Sequence, residues 1–169
     1  MTLQSTCFLW LLIVAAYDFR QRRVPNWLVL AGAVLALAAL ALGTGPLGQD
    51  WTDALLGAVA GFGFLLVFYV FKLMGAGDVK FAGALGLWVG LWALLPIWVI
   101  GSLLAGLHAV LWLILQRWPF SYRLSLMLSG RPSPSDGEIP PSTRQRFIPY
   151  AAYLALAAIV WMVWGRQSG

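Results

Sequence analysis

Asp18 and Asp78 are the two residues of this sequence whose type and setting could do chemistry. Each stands at the edge of a long apolar segment, Asp18 after Ala15-Ala16-Tyr17 and Asp78 after Gly75-Ala76-Gly77. An ionisable group is costly beside such a segment, which makes it a functional candidate. Two carboxyls close enough to share one proton can hydrolyse a peptide bond, one activating water while the other polarises the carbonyl. Gly75 and Gly77 flank an alanine, so three residues in a row carry no side chain beyond a methyl. Such a stretch lets another chain approach closely, or takes up φ > 0. A bland reading stands beside the catalytic one: Asp78 caps its own helix, and Asp18 pairs with Arg20 or Arg22.

The elements that must position these acids follow from composition. Of the 169 residues, 61% are hydrophobic and 10% charged, against about 25% charged in an ordinary soluble domain. Charge-free runs cover 1–17, 24–49, 54–71, 81–116 and 147–165. One crossing of the hydrocarbon core takes about 20 apolar residues. The run at 81–116 would make a helix of ~54 Å, and Gly90 and Pro96 offer a break inside it. The expected fold is therefore an all-α membrane protein with six transmembrane helices, at roughly 2–18, 27–43, 52–71, 79–93, 96–115 and 147–164. Ten of the eleven basic residues fall in the three loops on one side; only Arg166 falls on the other. The positive-inside rule makes the basic loops cytoplasmic and puts both termini on the outer, periplasmic side. Asp18 and Asp78 then share the cytoplasmic boundary.

Other residues bound the function. A membrane β-barrel would alternate apolar and polar residues, and the run from Trp27 to Leu42 does not. One cysteine, Cys7, and one histidine, His108, leave no disulfide framework and too few ligands for a zinc or histidine centre, so neither metal nor cofactor is expected. Topology accounts for the net charge of +5, and no nucleic-acid partner is expected. The start, Met1 to Cys7, lacks the basic region of a secretory signal, so the first span reads as permanent. Asp50-Trp51-Thr52-Asp53 reads as capping of the third span, and Asp136 and Glu138 as solvated loop. Loop 116–146 contains a linker-like stretch at 131–142 and an alternating strand or interfacial segment at 120–126. Lys72 and Lys80 could hold acidic or phosphate groups, or anchor the membrane surface. Gly57, Gly61, Gly83, Gly86 and Gly90 form small-residue surfaces suited to close helix packing. Trp27, Trp51, Trp118 and Trp164 sit where interfacial anchors would.

Gly75-Ala76-Gly77-Asp78-Val79-Lys80 resembles the GxGD motif of the type IV prepilin peptidases, a family of aspartic membrane proteases. Asp18-Phe19-Arg20-Gln21-Arg22-Arg23-Val24-Pro25-Asn26 resembles that family's first-aspartate motif, and Phe147-Ile148-Pro149-Tyr150 its last-span motif, with Ala151 where glycine is usual. The resemblance covers essentially the whole chain. It implies a single peptidase domain over 1–169 that removes the leader from a prepilin or pilin-like precursor at the cytoplasmic face of the bacterial inner membrane. It implies catalysis by Asp18 and Asp78 through an activated water. It also implies that Gly75, Gly77, Lys80, Pro25 and Asn26 are motif positions beside the substrate. The larger members carry a cytoplasmic insertion with paired CxxC motifs that goes with N-methylation. Here the first cytoplasmic loop runs only from Phe19 to Asn26, so methyltransferase activity is not expected, and the short form resembles the peptidases of Flp/Tad-type pilus systems. The implied partners are the precursor, the lipid bilayer, and components of a pilus or secretion assembly. Two other classes stay in view: an inactive assembly scaffold, and a small proton-coupled transporter. The transporter would place acids near the midplane, whereas the span interiors here are nearly free of polar side chains apart from Ser102 and His108.

Overall fold

A computed structural model describes residues 3–21, 23–43, 45, 47–117 and 150–164. These form five helices: α1 (Leu3–Gln21), α2 (Asn26–Ala41), α3 (Trp51–Val70), α4 (Ala76–Arg117) and α5 (Tyr150–Trp164). No strand occurs among the described residues. Two compact units are present: residues 1–105 with 147–169, and residues 106–146, of which the described part is the end of α4. The linker-like stretch, the alternating segment and residues 147–149 lie outside the described residues.

Alanine and leucine, the strongest apolar helix formers, dominate α2, a helix of 16 residues. It starts directly after Pro25, whose carbonyl accepts from the amides of Leu28 (3.1 Å) and Val29 (3.3 Å). It stops at Gly43, which takes φ 68° one residue past the C-cap, the left-handed position that glycine fills without strain. α3 ends on a Schellman turn in which Leu73 donates to the Phe68 carbonyl (3.0 Å) and Lys72 to that of Tyr69 (2.9 Å). Lys72 occupies the left-handed position there, with φ 59°.

Trp51–Val70 and Ala76–Ile114 are long and apolar enough to cross a membrane, and α2 and α5 are shorter apolar helices. Many large apolar side chains of the described residues lie on the outside: Val59 and Trp92 expose 71% and 78% of their surface. Lipid, not water, suits such a surface.

The break expected in the 81–116 run falls at Gly90 (φ 77°, ψ 177°), while Pro96 stays inside the helix. α4 therefore has a first arm before Gly90 and a second arm after it. A break strands carbonyls on one side and amides on the other, and the start of α3 satisfies both. The Gln49 side-chain amide donates to the carbonyls of Leu87 (3.1 Å) and Trp88 (2.7 Å). The Leu91 amide donates to the Asp53 carboxylate (3.0 Å). This corrects the capping expectation for Asp50-Trp51-Thr52-Asp53. Asp50 holds the N-cap position of α3 without a side-chain cap bond, and Asp53 caps the second arm of α4 rather than its own helix. Asp53→Ala should cost about 1 kcal/mol, the usual worth of an N-cap, and Asp53→Asn most of that less. Thermal unfolding of the two variants in detergent checks this.

The core joins α1, α2, both arms of α4 and α5, with Leu65 from α3. Trp10 stacks on Trp88 (6.0 Å between centroids) and packs on Phe81. Both indoles donate to α2 carbonyls, Trp10 to Leu28 and Trp88 to Gly32, each at 2.9 Å. α3 crosses the first arm at Gly57 and Gly86, where a Cβ on Gly57 would stand 2.7 Å from the Gly86 carbonyl oxygen.

Candidate active site

Asp18 lies one turn before the end of α1 and is 3% exposed. Its Oδ2 accepts a hydrogen bond from the Ala152 amide at 2.8 Å. Asp78 lies in the first turn of α4. Its amide donates to the Gly75 carbonyl (3.2 Å), and its Oδ1 accepts from the Ala151 amide (3.1 Å). Two acids sixty residues apart in the sequence therefore bind consecutive amides in the first turn of α5.

The sequence before α5 explains why those amides are available. Phe147-Ile148-Pro149 offers no Ser, Thr, Asp or Asn to act as N-cap. The first amides of a helix lack partners within it, and here two carboxyls from distant helices supply them. The positive end of α5 favours negative charge between its first turn and the two acids. Two carboxyls held on neighbouring fixed donors are an arrangement that acid–base hydrolysis can use.

The other motif residues lock the two acid-bearing segments together. Lys80 Nζ donates to Asn26 Oδ1 at 3.1 Å, joining the start of α4 to the start of α2. Gly77 backs onto Val24: an added Cβ would lie 3.5 Å from the Val24 carbonyl oxygen and 3.6 Å from its amide nitrogen. An added Cβ on Gly75 would lie 3.4 Å from Asp78 Oδ2. Neither glycine takes a positive φ, and an added methyl at either would meet these atoms at about ordinary contact distance. Pro25 starts α2 as described and touches the site through its neighbour Asn26. Between α2, α3 and the first arm lies a largely apolar cavity of about 720 Å³ with Asn26 and Lys80 among its lining residues.

Three participants escaped the sequence reading. The Ala151 and Ala152 amides carry no side-chain signature, although the missing N-cap before Tyr150 is a signal that something remote must serve them. The third is the hydroxyl pair of Tyr150 and Ser102, 3.0 Å apart, which ties the first residue of α5 to the second arm. Among the described residues no group of three or more His, Cys, Asp or Glu side chains is placed to hold a metal ion.

A model of the type IV leader peptidase family matches residues 5–111, a stretch that contains both acids. The "Prepilin leader peptidase/N-methyltransferase" of Pseudomonas aeruginosa is 35% identical over 164 residues, covering 93% of this chain and 47% of that protein. The protein of the same name from Xanthomonas campestris pv. campestris is 32% identical over 169 residues, covering 96% and 49%. That from Dickeya chrysanthemi is 35% identical over 131 residues, covering 71% and 42%. The chain spans about half the length of the curated relatives it matches. No solved structure gives a significant match.

Proposed function

The chain belongs to the type IV leader peptidase family, and on that premise we propose that it is an aspartic endopeptidase. Its substrate is a type IV prepilin or pilin-like precursor, cut between the leader and the apolar helix that follows. Asp18 and Asp78 share one proton. The ionised carboxyl takes a proton from water as the water oxygen attacks the scissile carbonyl, and the protonated carboxyl donates a hydrogen bond to that carbonyl oxygen. Breakdown of the tetrahedral species breaks the C–N bond, and the leaving amine takes up a proton from the pair. No covalent intermediate forms. The proposal covers the peptidase reaction alone.

The observation that carries this reading is the placement of both carboxyls on neighbouring amides of one helix terminus. Its setting is a six-span protein of the bacterial inner membrane, the two arms of α4 counted as separate crossings. Both termini are periplasmic and the acids cytoplasmic, as the ten basic residues on the acids' side support. Lys80 and Asn26 hold main-chain carbonyls of the extended substrate segment, and the apolar helices face lipid.

Co-expression with a candidate prepilin tests the proposal, with leader loss read by gel shift. The wild type should cleave, and Asp18→Ala and Asp78→Ala should not, at equal levels in the membrane. Cleavage that survives either change would return that carboxyl to capping α5. The glycines give a graded check in the same assay. Gly77→Ala places its methyl in ordinary contact with Val24 and should retain cleavage within a few-fold. Gly77→Val drives its branches against the 24–26 segment and should lower cleavage more than ~10-fold, the scale of a misplaced site, while the protein still inserts.

A further inference from the structure

We infer that Ser102 and Tyr150 form a positioning pair for the two carboxyls, acting through the first turn of α5. The inference rests on the peptidase reading of Asp18 and Asp78. Tyr150 is the first residue of α5, and the two residues after it supply the amides that hold Asp78 and Asp18. A helical turn moves as a unit, so whatever fixes Tyr150 fixes both amides and, through them, the distance between the carboxyls.

Two contacts with the second arm of α4 fix it. The Tyr150 and Ser102 hydroxyls are 3.0 Å apart. One residue earlier, Gly101 admits α5 at close range: an added Cβ would lie 3.1 Å from Leu154 Cδ2 and 3.4 Å from Leu154 Cα. Ser102 is the one hydroxyl-bearing residue between Leu91 and Ala105. Serine has no advantage over alanine for helix formation or apolar packing there, so its use points to the hydroxyl. On the opposite flank, Phe19, the neighbour of Asp18, meets Tyr153 edge to face at 5.8 Å. The first turn of α5 is thus seated between α1 and the second arm, and the hydroxyl pair sets its rotation.

A water held between two carboxyls tolerates little displacement, since a shift near 1 Å can cost about 100-fold in rate. Ser102→Ala should therefore lower kcat about 10-fold and leave KM within about two-fold. Ser102→Thr, which keeps the hydroxyl, should restore most of the rate. Tyr150→Phe should match Ser102→Ala, and the double variant should be no slower than either single one. Rates are taken per folded enzyme, so a variant that merely folds less well shows an unchanged kcat and overturns the inference. So does a loss in Ser102→Ala that Tyr150→Phe does not share, or that Ser102→Thr fails to relieve. Asp18→Asn and Asp78→Asn run alongside. If both are inactive and Ser102→Ala keeps full rate, the positioning pair alone is refuted. Full cleavage by either Asn variant refutes the catalytic pair and the positioning pair together.

Discussion

Asp18→Asn and Asp78→Asn should each lower cleavage by at least ~10³-fold, within the range that acid–base groups supply, while leaving the fold intact. Asparagine is the informative replacement because it separates the two uses of these side chains. Its amide oxygen still accepts from the Ala151 or Ala152 amide, so the cap on α5 survives. It can neither take a proton from water nor share one with its partner. Alanine removes both functions and leaves a buried amide without a partner, at a cost of about 1–3 kcal/mol. The expected pattern is two inactive Asn variants that unfold near the wild-type temperature, and two inactive Ala variants that unfold earlier. The double Asn variant should be no slower than either single one, because groups that act as a unit are non-additive. Gel-shift kinetics and thermal unfolding in the same detergent check both halves. An Asn variant that cleaves at the wild-type rate would leave capping as the only role for that carboxyl.

Gly86→Val should be the most damaging change away from the carboxyls, and Gly63→Val nearly silent. Both glycines lie within apolar helices and both changes add the same atoms. At Gly86 the new Cβ overlaps the Gly57 backbone, and neither helix can yield without parting from the other. Overpacking commonly costs 1–3 kcal/mol where side chains can adjust, so a backbone collision should cost more than ~3 kcal/mol by the same reasoning. At Gly63 nothing lies within 4 Å of the added atom, and the cost should stay within ~1 kcal/mol, the scale of helix propensity. Thermal midpoints of the two variants in detergent decide it. Equal midpoints would mean that α3 and α4 do not cross as closely as described.

Asp18 and Asp78 could be singled out from the sequence because a carboxyl beside a long apolar run needs a reason to be there. That they meet on α5 could not, since the donors are main-chain amides, which every residue possesses. Gly90 was legible as a break because the 81–116 run is too long for one crossing. Pro96, paired with Gly90 in the sequence as a mark of that one break, lies inside the helix after Gly90. Asp53 illustrates a different limit. An acid in the first turn of an apolar helix has the same sequence appearance whether it caps that helix or a neighbour, and only the position of Leu91 decides between them. The glycines of α3 and α4 were readable as close-packing surfaces, whereas the pairing of Gly57 with Gly86 depends on how the two helices cross. Tryptophan followed the same division. Trp27 and Trp51 are exposed near helix ends as interfacial anchors would be, while Trp10 and Trp88 are buried with their indole donors satisfied by α2.

The short reach of α2 and of the first arm of α4 bears on the proposed cleavage. From Asp78 to the kink at Gly90 the first arm rises ~18 Å, and α2, with its 16 residues, ~24 Å. A bilayer's hydrocarbon layer is about 30 Å thick. In the proposed membrane setting, the carboxyls and the Gln49–Asp53 cluster at the kink are the polar ends of that short column, and a mismatch of this size favours a thinner bilayer beside it. On the proposed function, a substrate helix sized for an undistorted bilayer would be too tall for such a zone by ~6–12 Å, the difference between these lengths. On the proposed peptidase function, the end of that helix and the peptide bond just before it would be lifted out of lipid toward the two carboxyls.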